Sequence, residues 1–167
     1  MHGWDIQTAG GTNVVIVNNT FAFPNPTTDG QLMLWDGSKA GSLSNLTVRN
    51  NIFQSPNHVA VVTDLRAAIS GSCAIDHNVT NVGSVFDGGS PCTVNNNRTN
   101  TDPRLVNTST APYDFHVRPS SPAIGAGVPV PGVGGDFDGA PRSTGSVSDI
   151  GAYKFAYGLS LLRLHAA

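Results

Sequence analysis

Short runs of alternating apolar and polar residues fill the first hundred positions of the chain, and four of them end in a polar pair whose second member is asparagine. When the runs are aligned on that asparagine, the positions three and five residues before it hold apolar side chains or cysteine. Because side chains alternate across a β-strand, these two columns are predicted to point into a core and the residues between them outward. The aligned asparagines are Asn19, Asn51, Asn78 and Asn97, preceded by Ile16, Val48, Ile75 and Val94 and by Val14, Leu46, Cys73 and Cys92.

A second repeated phrase, an aspartate at the end of an apolar or aromatic run, precedes each asparagine at Asp5, Asp36, Asp64 and Asp87. Each repeat therefore holds at least two short strands separated by a corner. Strand-only repeats of variable length with asparagine at the corners are typical of a parallel β-helix, in which each repeat makes one coil. Stacked asparagines would then pass amide hydrogen bonds from coil to coil. Hairpin turns of an antiparallel sandwich are the alternative, but none of the four asparagines is followed by glycine.

The composition favours strands and turns over helices. All eleven acidic residues are aspartate, charged residues make up 12% of the chain, and it contains nineteen glycines and eleven prolines. Surface helix formers are therefore scarce and turn formers abundant. The net charge of −2 without a basic cluster argues against a nucleic-acid partner. No apolar run approaches the length of about 18 residues that a membrane span needs, and we expect neither a span nor a signal peptide in this chain.

The pattern changes after Asn100 to a succession of aspartate, proline and glycine motifs. These are Asp102-Pro103, Asp114-Phe115, Ser121-Pro122-Ala123-Ile124, Asp138-Gly139, Arg142 and Asp149-Ile150-Gly151-Ala152-Tyr153. The succession resembles the ending of bacterial right-handed β-helix repeat proteins of the pectate-lyase-like superfamily, in particular the choice-of-anchor Q type. The resemblance implies a single-stranded right-handed parallel β-helix of about four coils over residues 1–100. A last coil and loop-rich cap follow at 101–155, and the tail, 156–167, is a short helix or non-native sequence.

The resemblance also implies a function. It points to a polysaccharide-binding or polysaccharide-degrading module of a longer protein that is secreted or attached to the cell surface. If the module is an enzyme, the superfamily indicates a polysaccharide lyase or a glycoside hydrolase. The alternative is a non-catalytic structural or adhesive module that forms a homo-oligomer through the open end of its first coil. In the cap, Arg142 and Asp149 are expected to form a structural ion pair.

Three aspartates of the second phrase, Asp36, Asp64 and Asp87, are candidate catalytic residues. Stacked on successive coils they would lie about 5 Å apart, and about 10 Å apart across two coils, which brackets the carboxyl separations of glycosidases. Such a row would also attract Ca²⁺, which prefers several oxygen ligands. Ordinary turn chemistry is the alternative, because aspartate commonly ends a strand before glycine.

Arg49 is the candidate cation of a lyase, where it would neutralise the uronate carboxylate beside the proton that a base removes. A surface ion pair with Asp76, one coil later, is the alternative. Trp4 and Trp35 form either a platform for sugar rings or part of the core. His77, which takes the place of asparagine in the repeated pair, is interpreted as a hydrogen-bonded structural residue.

Two further pairs of residues have a spacing that suggests a metal site or a disulfide. Asp136 and Asp138 are spaced like two ligands of a Ca²⁺-binding loop, but the other acidic ligands of an EF-hand are missing from this stretch. Cys73 and Cys92 fall in one inward column on neighbouring coils, where either a disulfide or two buried thiols would fit. The expected cofactor is therefore none or Ca²⁺.

Overall fold

All regular structure in the described part of the chain is β-strand. The computed structural model describes residues 6–8, 11–22, 32–34, 42–54, 60–64, 68–88, 92–145 and 147–156. Within these ranges thirteen strands form four sheets and no helix is present. The all-β prediction is confirmed.

Three parallel sheets are built from the repeats. Their strands are β1 (Ile6–Thr8), β2 (Gly11–Val17), β3 (Thr20–Ala22), β4 (Leu32–Leu34), β5 (Ser42–Arg49), β6 (Ile52–Gln54), β7 (Ala60–Asp64), β8 (Ala68–Asp76), β9 (Val79–Thr80), β10 (Ser84–Gly88) and β11 (Thr93–Asn95). The first sheet has the order β1-β4-β7-β10, the second β2-β5-β8-β11 and the third β3-β6-β9. Parallel neighbours cannot be joined by a tight hairpin. Here the chain visits the other sheets before it returns to the same one.

The register of the second sheet places the predicted inward columns level with one another. Ile16 pairs with Val48, Val48 with Ile75, and Ile75 with Val94. Val48 and Ile75 are completely buried, whereas Val15, from the column between, is 57% exposed. The predicted alternation of inward and outward positions is confirmed for β5 and β8, whereas Val94 of β11, in the same inward column, is 46% exposed.

The inward side chains form the main hydrophobic core. Phe53 is completely buried, and its ring stacks on that of Phe21, one repeat earlier, with the ring centroids 4.8 Å apart. Burial of such a ring stabilises the fold by about 2–3 kcal/mol. The core consists of Ile16, Phe21, Leu43, Leu46, Val48, Phe53, Cys73, Ile75, Val82 and Val85.

A disulfide joins the last two repeats. Cys73 lies in β8 and Cys92 immediately precedes β11, and their Cα atoms are 4.6 Å apart. The sequence allowed either a disulfide or two buried thiols at these positions, and the structure contains the disulfide. By closing a loop between residues 19 positions apart, it restricts the unfolded chain and so favours the folded state.

Two of the aspartates predicted to form a row, Asp64 and Asp87, are not level with each other in the first sheet. Asp87 pairs with Thr63, whereas Asp64 pairs with Gly88 and with Leu34. A shift of one residue exchanges the two faces of a strand, so the predicted alignment of Asp64 with Asp87 is wrong. The last repeat is shorter, because Asp87 precedes Asn97 by 10 residues whereas Asp64 precedes Asn78 by 14. The sequence pattern does not determine the register across that difference. The other residues of this prediction, Asp5, Asp36, Trp4 and Trp35, lie outside the described residues.

The C-terminal part packs along the side of the third sheet. It contains β12 (Leu105–Asn107) and β13 (Asp114–Val117), which pair antiparallel. The backbone N–H of Gly151 donates to the carbonyl of Asn50 at 2.8 Å, and that of Ala152 to the hydroxyl of Thr20 at 3.0 Å. The region predicted to cap the last coil therefore contacts the first two repeats as well. A second core joins Ile52 and Val79 of the third sheet to Leu105, Val117, Ala123 and Ile150.

Arg142 and Asp149 support the C-terminal loops through backbone groups. The buried guanidinium of Arg142 donates to the carbonyls of Asp149 and Gly151, at 3.1 and 2.6 Å. The Asp149 carboxylate accepts from the backbone N–H groups of Gly125 and Phe155, at 2.7 and 2.8 Å. Burial lowers the pKa of Arg142, because its charged form loses hydration. The predicted direct ion pair is thus replaced by contacts to the main chain.

Candidate functional site

The four aligned asparagines form one continuous row of hydrogen bonds. The backbone N–H of each of the first three donates to Oδ1 of the asparagine one repeat later, at 2.9 Å in all three steps. Asn51 and Asn78 are completely buried. Because buried polar atoms must find partners inside the protein, the row is a structural element and not a ligand site. Side-chain Nδ2 atoms of the later asparagines also donate to the carbonyls of Ile16, Val48 and Ile75, at 2.9, 3.0 and 2.8 Å.

The first member of each repeated pair turns the chain. φ is 54° at Asn18, 55° at Asn50, 52° at His77 and 51° at Asn96. Asparagine and histidine adopt this left-handed region more readily than most residues, which explains why both occur here. Nδ1 of His77 also lies 2.7 Å from Oδ1 of Asp76. The pair is therefore a corner residue followed by a row residue, and His77 has the expected structural environment.

Arg49, the predicted lyase cation, is held in a two-point ion pair. Its Nε and Nη2 atoms lie 2.6 and 2.8 Å from the two carboxylate oxygens of Asp76. Burial opposes ionisation of Asp76, but hydrogen bonds from Arg49 and His77 outweigh it and hold the pKa of that carboxyl below its usual value. The hydrogen bond to Asp76 raises the pKa of Arg49. Arg49 belongs to the second sheet, whereas Asp64 and Asp87 belong to the first.

Asp136 and Asp138, the predicted Ca²⁺ pair, have separate roles. The Asp136 carboxylate accepts the backbone N–H groups of Asp138, Ala140 and Lys154 at 3.0, 2.7 and 2.8 Å, and so closes its loop. Oδ2 of Asp138 lies 2.8 Å from Nε2 of His116. In the part of the chain that the structure describes, no group of three or more His, Cys, Asp or Glu side chains is arranged to hold a metal ion. Ca²⁺ binding stays a prediction.

A cluster centred on His116 joins three segments of the C-terminal part. Nδ1 of His116 lies 2.6 Å from Oδ1 of Asp114, while its Nε2 contacts Asp138. Asp114 and His116 are alternate residues of β13 and so share one face of that strand. The His116 ring packs against Tyr153, with centroids 4.1 Å apart. We call Asp114, His116, Phe137, Asp138 and Tyr153 the His116 cluster.

The His116 cluster presents an aromatic surface to solvent. Phe137 is 78% exposed, although an apolar ring gains free energy from burial. Its ring meets that of Tyr153 edge-on, with centroids 5.5 Å apart. The backbone N–H of Phe137 donates to the carbonyl of Ala152 at 2.9 Å, which anchors the two rings beside each other. The rings form an open surface with carboxylates at its border.

Interactions within the His116 cluster raise the pKa values of His116 and Tyr153 and lower that of Asp114. The bond to Asp138, followed by that to Asp114, raises the pKa of His116. The backbone N–H and the ring of His116 lower the pKa of Asp114. Burial and the neighbouring carboxylates raise the pKa of the Tyr153 hydroxyl. The arrangement therefore favours a protonated imidazole held between two carboxylates.

We expect His116 to make the stability of the protein depend on pH. Its folded-state pKa lies above the unfolded value of about 6.5, so its contribution is fully present below that pH and is lost as the pH rises through the folded-state pKa. The free energy of unfolding, from urea titrations, should therefore fall as the pH is raised above about 6.5, and less so in His116→Gln. An NMR titration gives the pKa of His116 itself, and a value at or below about 6.5 would contradict the prediction.

The sequence patterns do not reveal the His116 cluster. They assign Asp138 to a Ca²⁺ loop, and Asp114 and Tyr153 only to the family ending. The alternation in "YDFHV" is a usable local signal, because it places a carboxylate and an imidazole on one strand face. The contacts of His116 with Asp138 and Tyr153, which follow far later in the chain, depend on the folding of the C-terminal part.

No protein-family model, curated protein or solved structure matches the chain. The resemblance to β-helix repeat proteins of the pectate-lyase-like superfamily therefore stays a prediction. Among the described residues, no helix has the length and apolar character needed to cross a membrane.

Proposed function

We propose that the chain winds as a right-handed parallel β-helix and serves as a polysaccharide-binding module of a secreted or cell-surface protein. The three parallel sheets support the winding, since each receives its strands from successive repeats in chain order. The row of asparagines supports it as well, because such a row needs equivalent corners stacked on one another. A right-handed path is the rule for parallel strands of one sheet that are joined by a crossover.

The observation that carries the binding proposal is the exposed ring of Phe137 beside the carboxylates of the His116 cluster. The apolar face of a sugar ring can pack on an aromatic side chain, and its hydroxyl groups can donate to carboxylate oxygens. Binding sites for small organic groups combine such aromatic surface with a few fixed polar atoms. The pair formed by Phe137 and Tyr153, with Asp138 next to it, has this composition.

The carboxylates of the His116 cluster are already oriented before any ligand arrives. Oδ1 of Asp114 accepts the backbone N–H of His116 at 3.0 Å and contacts its ring at 2.6 Å. Asp138 is held by the opposite ring nitrogen. Less side-chain freedom is then lost when a ligand binds, which favours affinity.

Charges in this region favour binding over cleavage, and neutral or amino sugars over uronates. A glycosidase needs one carboxylic acid with a raised pKa as its proton donor. The pKa of Asp114 is lowered by hydrogen bonds from His116; at Asp136 burial raises the pKa, but backbone N–H groups outweigh it. Both groups are therefore ionised near neutral pH and would repel a uronate carboxylate.

Truncation of the exposed ring should weaken sugar binding. We expect Phe137→Ala to raise the Kd for a neutral or amino-sugar oligosaccharide at least about tenfold, which corresponds to about 1.4 kcal/mol. Isothermal titration with hexasaccharides of cellulose, xylan and chitin, compared with oligogalacturonate, measures this directly. The expected order is tighter binding of a neutral or amino-sugar ligand than of the uronate.

Tyr113→Ala is the matched control for this experiment. Tyr113 is another exposed aromatic residue, at 50%, but its ring stacks on Phe115 at 6.0 Å, and it is not part of the His116 cluster. Its removal should leave the Kd unchanged. Equal losses in both variants, or no binding by the native protein to any of the four ligands, would count against sugar binding at the His116 cluster.

A different observation favours a second candidate function, that of a non-catalytic structural or adhesive module. The last strand of the second sheet, β11, is exposed along its whole length. Exposed strand edges promote association between chains. This function does not require sugar binding, and the two functions are compatible in one protein.

A further inference from the structure

The edge of the second sheet is exposed at β11. Among the described strands β11 pairs only with β8, and all three of its residues are exposed. Val94 continues the inward column but is 46% exposed, whereas Ile75, one repeat earlier, is completely buried. An edge of this kind carries backbone N–H and C=O groups that another strand can pair with.

The row of asparagines ends at the same edge with unused donors. In every completed step, Oδ1 of the later asparagine accepts both the backbone N–H and Nδ2 of the earlier one. No described residue accepts from the backbone N–H of Asn97, the last member, and only one accepts from its Nδ2. At the opposite end, no described residue donates to Oδ1 of Asn19. Among the described residues, the row therefore begins with an acceptor and ends with donors that have no partner.

The carbonyl of Val94 is the next acceptor of the repeating pattern. The Nδ2 atoms of Asn51, Asn78 and Asn97 each donate to the carbonyl of the inward residue of the preceding repeat. For Asn97 this acceptor is the carbonyl of Ile75. Val94 is level with Ile75 in a parallel pair. Its carbonyl is consequently directed away from β8, towards the position that a further repeat would occupy.

We propose that the chain associates head to tail with a second copy of itself, so that β2 of one copy adds to β11 of the next as a parallel strand. In this arrangement Asn97 donates to Oδ1 of the partner's Asn19, and the partner's Asn19 donates through Nδ2 to the carbonyl of Val94. Any strand would pair with the backbone edge, but Asn19 supplies the acceptor and the donor that continue the row. The proposal does not depend on sugar binding or on the hand of the winding.

The contact joins two different surfaces and so permits linear assemblies of more than two copies. β11 has only three residues, and short edge strands limit association. We therefore expect weak binding, detectable by sedimentation at about 0.1–1 mM protein. The proposal adds the last repeat, which holds the exposed inward residue Val94, to the prediction that self-association uses the open end of the first coil.

Two single-cysteine variants test the proposed register. Val17, Arg49, Asp76 and Asn95 occupy equivalent positions in the four strands of the second sheet, each level with the next. If the sheet continues into a second copy, Asn95 of one copy should lie level with Val17 of the next. Cysteines at level positions of neighbouring strands come within bridging range. The chain's own two cysteines are already bonded to each other and leave no free thiol.

The expected result is a covalent dimer when Val17→Cys and Asn95→Cys proteins are mixed under mild oxidation, and none above background in either variant alone. Circular dichroism of each variant establishes that both are folded. Adding Val94→Lys to the Asn95→Cys protein should abolish the mixed dimer, because it places a charge at the β11 edge of the second sheet, where the second copy would pack. Val147→Lys changes a similarly exposed valine, at 53%, in the C-terminal part and should have no effect.

Two outcomes would overturn the proposal. A covalent dimer of Asn95→Cys alone would show that two copies of β11 pair with each other around a two-fold axis. No dimer in the mixture, together with monomeric sedimentation of the native protein up to about 1 mM, would show that this edge does not bind a second copy. Neither outcome bears on Phe137, so the sugar-binding proposal is tested separately.

Discussion

Replacement of Asn51 by alanine is expected to lower the free energy of unfolding by about 4 kcal/mol, because it interrupts the asparagine row at a completely buried position. Oδ1 of Asn51 accepts the backbone N–H and Nδ2 of Asn19, at 2.9 and 3.1 Å. Its Nδ2 donates to the carbonyl of Ile16 and to Oδ1 of Asn78, at 2.9 and 3.0 Å. Alanine leaves several of these groups without a partner, and each buried orphan costs about 1–3 kcal/mol. Urea unfolding followed by circular dichroism measures the change.

Asn95→Ala is the control for the asparagine row. Asn95 lies on β11 and is exposed, so the same chemical change should alter the free energy of unfolding by less than about 0.5 kcal/mol. A loss below about 1 kcal/mol in Asn51→Ala would mean that solvent or local rearrangement replaces the row's hydrogen bonds. The row would then contribute little to stability.

Gly151→Ala is the second substitution with a large expected effect, a loss of about 3 kcal/mol. φ at Gly151 is +97°, a conformation that alanine adopts only with strain. An added Cβ would lie 2.6 Å from Cδ1 of Ile52 and 2.9 Å from the hydroxyl of Thr20. Ile52 is only 1% exposed and has little room to move. We therefore expect the C-terminal part to be pushed away from the third sheet. The urea concentration at the midpoint of unfolding should fall accordingly.

Gly132→Ala separates backbone strain from packing. Its φ of +85° is similar, but no atom lies within 4 Å of an added Cβ. Only the backbone cost of about 1 kcal/mol should therefore appear. Equal losses in the two variants would show that the contact between Gly151 and the third sheet does not constrain the fold, and would contradict the described packing of the C-terminal part.

The repeats were predictable because each obeys the same local rules. Alternation at Ile16, Val48 and Ile75 places these side chains on one face, and the structure has them level and inward. The polar pairs were recognisable for a related reason, since one residue type that tolerates positive φ is followed by one that can bond along the stack. Repetition made these signals stand out from ordinary turns.

The predicted aspartate row shows that counting residues along the chain does not determine the register of every sheet. Asp64 and Asp87 follow similar apolar runs, yet they differ by one position in the register of the first sheet. Register there depends on how the apolar residues of neighbouring repeats pack and on the lengths of the connecting segments. A count of residues from the asparagine does not contain that information when a repeat becomes shorter.

Strand content, inward columns, corners and the asparagine row thus follow from the order of residues within one repeat, because they are set by alternation and by the backbone preferences of single residues. The Cys73–Cys92 bond, the side-on packing of the C-terminal part and the His116 cluster were decided by tertiary structure. The disulfide needed two neighbouring repeats to come level, and the cluster needed His116, Asp138 and Tyr153 to meet from separate segments. Contacts between segments without a common repeat leave no periodic signal in the chain, so only their packing in three dimensions determines them.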